Sequence, residues 1–99
     1  MYNSIGVAEF YQASKKEKLP IIDVREKEEY ARGHVPNAIN MPLSSLSENY
    51  QELDKDTDYY LVCQTGGRSA TASRFLAEQG YDVTNVMGGT SAYQGALEK

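Results

Sequence analysis

Apolar and polar positions fall into blocks that predict strands and helices in turn. Leu19 to Val24 reads Leu-Pro-Ile-Ile-Asp-Val, a short apolar run entered through a proline, and predicts a buried strand. Before it, Val7, Phe10, Tyr11 and Ser14 share one face of a predicted helix. Glu26 to Arg32 predicts a short charged helix stopped by Gly33. Ala38 to Met41 predicts a second short strand. Leu43, Leu46, Tyr50 and Leu53 recur at helical spacing, with Ser44, Ser45 and Ser47 weakening the first turn. Tyr59 to Val62 carries the strongest strand signal and runs directly into Cys63. Gln64 to Gly67 reads as a loop, and Ser69 to Gln79 as a helix closed by Gly80. In that helix Ala70, Ala72, Ser73 and Ala77 are small enough for close approach to a sheet, and Phe75 and Leu76 are its larger anchors. Val83 to Met87 predicts another strand, Gly88-Gly89 a turn, and Thr90 to Leu97 a final helix. Such alternation implies the α/β class, with a parallel sheet covered on both faces and right-handed crossovers.

Composition narrows the class. The chain has 99 residues, which suits a single domain over 1–99. Hydrophobic residues make up 40%, enough for a thin core, and eight Tyr with no Trp require several phenol rings to fill it. The net charge of −4 argues against nucleic acid as a partner, since that needs clustered cations. Lys15, Lys16 and Lys18, interleaved with Glu17, read as a solvated helix end. The first residues have no cationic start and no long apolar run, so neither a signal peptide nor a membrane span is expected. The lone Cys63 allows no internal disulfide and no thiol pair for zinc, and the expected compartment is cytoplasmic.

The segment Cys63-Gln64-Thr65-Gly66-Gly67-Arg68-Ser69 follows a buried strand and opens a helix. Sites in open α/β sheets form beyond the carboxyl ends of strands. Gly66 and Gly67 permit backbone angles that turn successive N–H groups inward as an anion nest. The first helical turn adds unpaired N–H groups and a positive dipole end, and Arg68 adds a permanent charge. All three stabilise a thiolate, the nucleophilic form of cysteine. Thr65 and Ser69 carry hydroxyls that can donate to the sulfur, and Ser69 also suits a helix cap. A cysteine at the end of a buried strand can equally be an inert small hydrophobe. The Gly-Gly-Arg-Ser that follows is what that bland alternative leaves unexplained.

In this loop and elsewhere the chain resembles the rhodanese family. Ile21 to Glu26, Glu29-Tyr30 and Gly33 to Asn40 are similar to its N-terminal signature. Cys63 to Ser69 is similar to its active-site loop, and Gly80-Tyr81 with Val86 to Gly89 to its C-terminal landmarks. The resemblance implies a three-layer α/β/α fold with a five-stranded parallel sheet. It also implies a sulfurtransferase that moves sulfane sulfur from a donor such as thiosulfate to a thiol or cyanide, with Cys63 as the persulfide-forming residue. Gln64, Thr65, Gly66, Gly67, Arg68 and Ser69 would surround the substrate, with no metal or organic cofactor. A partner sulfur-carrier protein is a further candidate acceptor. Asn37 stands where the family has Gly, and Tyr93 where it has Trp.

Two other functions compete. Rhodanese-like domains also serve as regulatory or relay modules, usually with the cysteine replaced. Tyrosine phosphatases use a related loop with five residues between Cys and Arg, whereas four separate Cys63 from Arg68 here. A phosphatase would also need a general acid, for which Asp23 and Asp82 are the candidates. His34, the single histidine, reads as a ring bonded to backbone in a turn, and Asp23 with Arg25 as a structural ion pair. Asp54 to Asp58 opens like a calcium loop but lacks the glycine and the final glutamate such a loop requires.

Overall fold

A computed structural model describes residues 1–99. Five strands, β1 (Asn3–Gly6), β2 (Ile21–Asp23), β3 (Ala38–Asn40), β4 (Tyr59–Val62) and β5 (Val83–Met87), form one sheet in the order β1-β5-β4-β2-β3. Every neighbouring pair is parallel. The helices are α1 (Val7–Lys16), α2 (Lys27–Ala31), α3 (Leu46–Asn49) and α4 (Gly67–Glu78).

Strand side chains alternate between the two faces, and the core divides accordingly. Ile22, Val24, Leu61, Cys63 and Val83 pack with Leu46 of α3 and with Ala72 and Leu76 of α4. Ile21, Val62 and Val86 pack on the other face with Phe10 of α1, and Tyr30 of α2 lies against that cluster. The sheet is thus the middle of three layers, and the strands buried on both sides are the continuous apolar runs of the sequence.

β4 and β5 have the bounds their patterns predict, and the other elements differ in instructive ways. β1 carries no apolar pattern because it is a half-exposed edge strand reading Asn-Ser-Ile-Gly. The segment predicted as one helix from Leu43 is a 3-10 turn (Leu43–Ser45), the single turn of α3 and a second 3-10 turn (Tyr50–Glu52). Serines and Asn49 compete for backbone hydrogen bonds there. α4 begins at Gly67, two residues before the predicted start, with the left-handed Gly66 as its cap. The predicted helix over Thr90 to Leu97 is only a 3-10 turn, Thr90–Ala92. Tyr93 leaves the helical path to stack edge-on against Tyr11 at 5.3 Å, and Glu98 pairs antiparallel with His34. No helix is long and apolar enough to cross a membrane.

Candidate active site

Cys63 follows the carboxyl end of the central strand β4, and α4 starts four residues later. Gly66 makes this tight passage possible. Its φ of +114° belongs to the left-handed region, and a side chain there would approach the Gly88 nitrogen at 3.3 Å. The curl brings the Gly66 N–H to 3.0 Å from Cys63 Sγ, to which it donates. The Cys63 S–H donates to Ser69 Oγ, 3.4 Å away.

The residue carrying this sulfur is about 1% exposed. Burial pushes the thiol up. The Ser69 hydroxyl and the N–H groups of Ser69, Gly66 and Thr65 outweigh it, and the net shift is below the ordinary thiol value. Ser69 is not the helix cap, a position held by Gly66, but lies in the first turn with its hydroxyl facing inward. Thr65 acts through its backbone N–H. Gln64, Thr65 and Gly67 are exposed at the mouth of the loop.

Two arginines flank the loop. Arg68 is held bidentate by Glu29 of α2, at 2.7 and 2.9 Å, so its charge is matched by a carboxylate. The Arg68 guanidinium holds the Glu29 carboxyl at a pKa of about 2. Glu29 also closes a capping box with Glu26, which fixes the start of α2. Arg25 is buried and bound to Asp23 Oδ2 at 2.8 Å, to the Gly33 carbonyl at 2.8 Å and to Gln64 Oε1 at 3.3 Å. Asp23 and Arg25 therefore form the expected ion pair, and Arg25 extends it to the loop.

The turn after β5 grips the loop from below. Thr90 donates its N–H to the Cys63 carbonyl at 2.8 Å and its hydroxyl to the same oxygen at 3.0 Å. The Ser91 N–H donates to the Gln64 carbonyl at 3.0 Å. Gly89 makes this approach possible, because a Cβ there would lie 2.6 Å from both carbonyl oxygens.

An open groove of about 660 Å³ adjoins the loop at Gln64 and is lined by Arg25, Glu29, Arg32, Thr90 and Tyr93 among others. A second hollow, of about 560 Å³, lies between β1 and α4 and shares no residue with the loop. His34 stacks on Tyr30 with ring centroids 3.7 Å apart and bonds the Tyr30 carbonyl through Nδ1, so it is a packed turn residue. Asp82 precedes β5 at the opposite end of the sheet from Cys63, and Asp23 is committed to Arg25. Neither is placed to act as the general acid of a phosphatase. Sequence reasoning missed the roles of Asn85, Thr90 and Ser91, and used Glu29 only as part of a motif. Their signal lies in contacts between segments far apart in the chain.

The chain is 42% identical over 79 residues to YtwF of Bacillus subtilis (strain 168), whose name provisionally makes it a sulfurtransferase, a match spanning 80% of this chain and 77% of that one. It is 37% identical over 83 residues to YrkF of the same organism, provisionally named a sulfur carrier protein, spanning 83% of this chain but only 45% of that relative. The crystal structure of a rhodanese-like domain protein from Staphylococcus aureus superposes with a TM-score of 0.88 at 37% identity, covering 97% of this chain and 96% of the other. The rhodanese-like domain profile matches residues 6–96. With the profile spanning nearly the whole chain and the fold superposing on a rhodanese-like domain protein, the chain belongs to the rhodanese-like domain family.

Proposed function

We propose that this protein is a sulfurtransferase that carries sulfane sulfur as a persulfide on Cys63. The observation that supports this most is the donation of the Gly66 N–H to the sulfur, backed by the Ser69 hydroxyl. A buried inert thiol has no need of a backbone N–H aimed at its sulfur and a hydroxyl within hydrogen-bond reach of it.

The Cys63 thiolate attacks the outer sulfur of a donor such as thiosulfate. A new S–S bond forms, the donor's S–S bond breaks, and its electron pair leaves with sulfite. The product is Cys63–S–S⁻, whose outer sulfur carries the negative charge. An acceptor thiolate, or cyanide, then attacks that sulfur and returns Cys63 to the thiolate, giving ping-pong kinetics. The loop amides serve both forms, since the anion moves only one S–S bond, about 2 Å, from Sγ in the thiolate to the outer sulfur in the persulfide. Gln64, Thr65, Gly66, Gly67, Arg68 and Ser69 form the wall around it. The groove beside Gln64 receives the donor, with Arg32 supplying charge at its rim. The likeness to YrkF favours a protein thiol among the acceptors.

Treatment with thiosulfate or a low-molecular-weight persulfide should add the mass of one sulfur to the protein, and cyanide should remove it. Cys63→Ser should fold normally and gain no mass. No mass gain on the parent protein with any of these donors would remove the basis for sulfur transfer, and an unchanged gain in Cys63→Ser would move the site elsewhere.

A further inference from the structure

The face of β5 that meets α4 is apolar apart from one residue. Val83 packs there with Leu61 and Leu76, yet Asn85, in register with Leu61, places a carboxamide in the same layer and is about 5% exposed. A buried amide must find a partner. The partner of this one is Ser69, whose Oγ lies 2.5 Å from Asn85 Oδ1 and 3.4 Å from Cys63 Sγ. Ser73, one turn further along α4 and equally buried, has a hydroxyl with no partner. Facing the sheet therefore does not by itself satisfy a hydroxyl on this helix.

Ser69 has one proton and three neighbouring acceptors. The Gly66 carbonyl lies at 3.2 Å, Asn85 Oδ1 at 2.5 Å, and the sulfur is the third when it is ionised. With Cys63 as a thiol, S–H donates to Ser69 Oγ and the Ser69 hydroxyl donates to Asn85 Oδ1. With Cys63 as an anion, the Ser69 proton is needed at the sulfur, and Oγ must accept from elsewhere. A carboxamide provides this by a half-turn that exchanges its oxygen for its NH₂. Nδ2 then donates to Ser69 Oγ, and the Ser69 hydroxyl donates to the sulfur.

We infer that Asn85 is a positioning residue that turns the Ser69 hydroxyl onto the Cys63 sulfur whenever that sulfur is anionic. This rests on Cys63 being the reacting sulfur, but the chain Asn85–Ser69–Cys63 can be read from the thiol alone. The ionised groups around this end of the sheet are Arg68 with Glu29, Arg25 with Asp23, and Arg32 at the rim of the groove. They stay constant across variants at positions 69 and 85, apart from the charge that Asn85→Asp introduces.

The test is the rate of Cys63 alkylation by iodoacetamide as a function of pH, with folding of each variant checked by urea denaturation. Ser69→Ala should raise the thiol midpoint by about one unit, a roughly tenfold loss of thiolate at a fixed pH below it. Asn85→Leu, matched in size and suited to an apolar layer, should lose several-fold. Ser69→Ala with Asn85→Leu should match Ser69→Ala alone, because Asn85 acts only through Ser69. Asn85→Asp, an acceptor of the same shape, should lose at least as much as Asn85→Leu. A wild-type profile for either Asn85 variant overturns the inference, as does an Asn85→Leu effect that persists in the Ser69→Ala background. If Asn85→Asp fails to fold, the Leu and Ala pair decides alone. Sulfur loading by mass is a separate measurement, so its failure and a failed titration remain distinguishable.

Discussion

Two arginine–carboxylate pairs stand on either side of the Cys63 loop and do different work. Arg25 and Asp23 are about 5% and 0% exposed, and Arg68 and Glu29 about 39% and 30%. Arg25 joins the end of β2 to the Gly33 carbonyl and to Gln64, so its charge is spent inside the frame. Asn40 reinforces that frame by donating to the carbonyls of Asp23 and Arg25. Arg68 and Glu29 bridge α4 and α2 in contact with water, where charge is screened and side chains can exchange partners. The same chemistry thus serves as a strut where it is dry and as an adjustable field where it is wet.

Substitutions can break this contrast. Arg25→Met strands the Asp23 carboxylate in the interior and should cost about 3–5 kcal/mol in urea denaturation. Asp23→Leu combined with Arg25→Met should recover much of that loss, since no uncompensated charge remains. A cost near that of a surface pair would show that Arg25 is not a strut. Glu29→Gln should cost only about 1 kcal/mol or less, because water screens the pair it removes. It also frees the Arg68 charge beside the sulfur. The KM for thiosulfate should therefore fall, most clearly at low salt, while that for an uncharged organic trisulfide donor stays nearly constant.

The smallest effect is the pH dependence of the outer pair. Glu29 titrates near 4.5 in the unfolded chain and near 2 in the fold. Its stabilising contribution is complete above the higher value and disappears as the pH falls through the lower one. Parent and Glu29→Gln stabilities should therefore differ at neutral pH and converge as the pH drops through that window. Parallel curves across it would mean that Glu29 gains nothing from Arg68.

The strands of the sheet interior were legible because burial on both faces demands apolar runs, uninterrupted at Tyr59–Val62 and broken only by Thr84 and Asn85 at Val83–Met87. β1 was illegible because an exposed edge strand needs little hydrophobic surface. The last segment was misread because Tyr93 is half-buried through ring packing on Tyr11 and Phe10, not through helical periodicity. The Cys63 loop was legible because its parts are consecutive in sequence. Glu29 and Asn85 reach it from 39 and 16 residues away, and no local pattern marks such partners. The place of Asp23 and Arg25 at a strand end is enough to predict their ion pair, and the geometry adds the reach of Arg25 to Gln64.

A peptide unit is flat and trans, so its N–H and C=O point in opposite directions. The Thr90–Ala92 turn draws the Gln64 carbonyl toward Ser91. The Thr65 N–H shares that rigid plane and is thereby swung to the sulfur side, where its influence on Cys63 is felt. The loop needs no side chain to steer this amide. Its compass bearing is set by a glycine-led turn near the end of the chain.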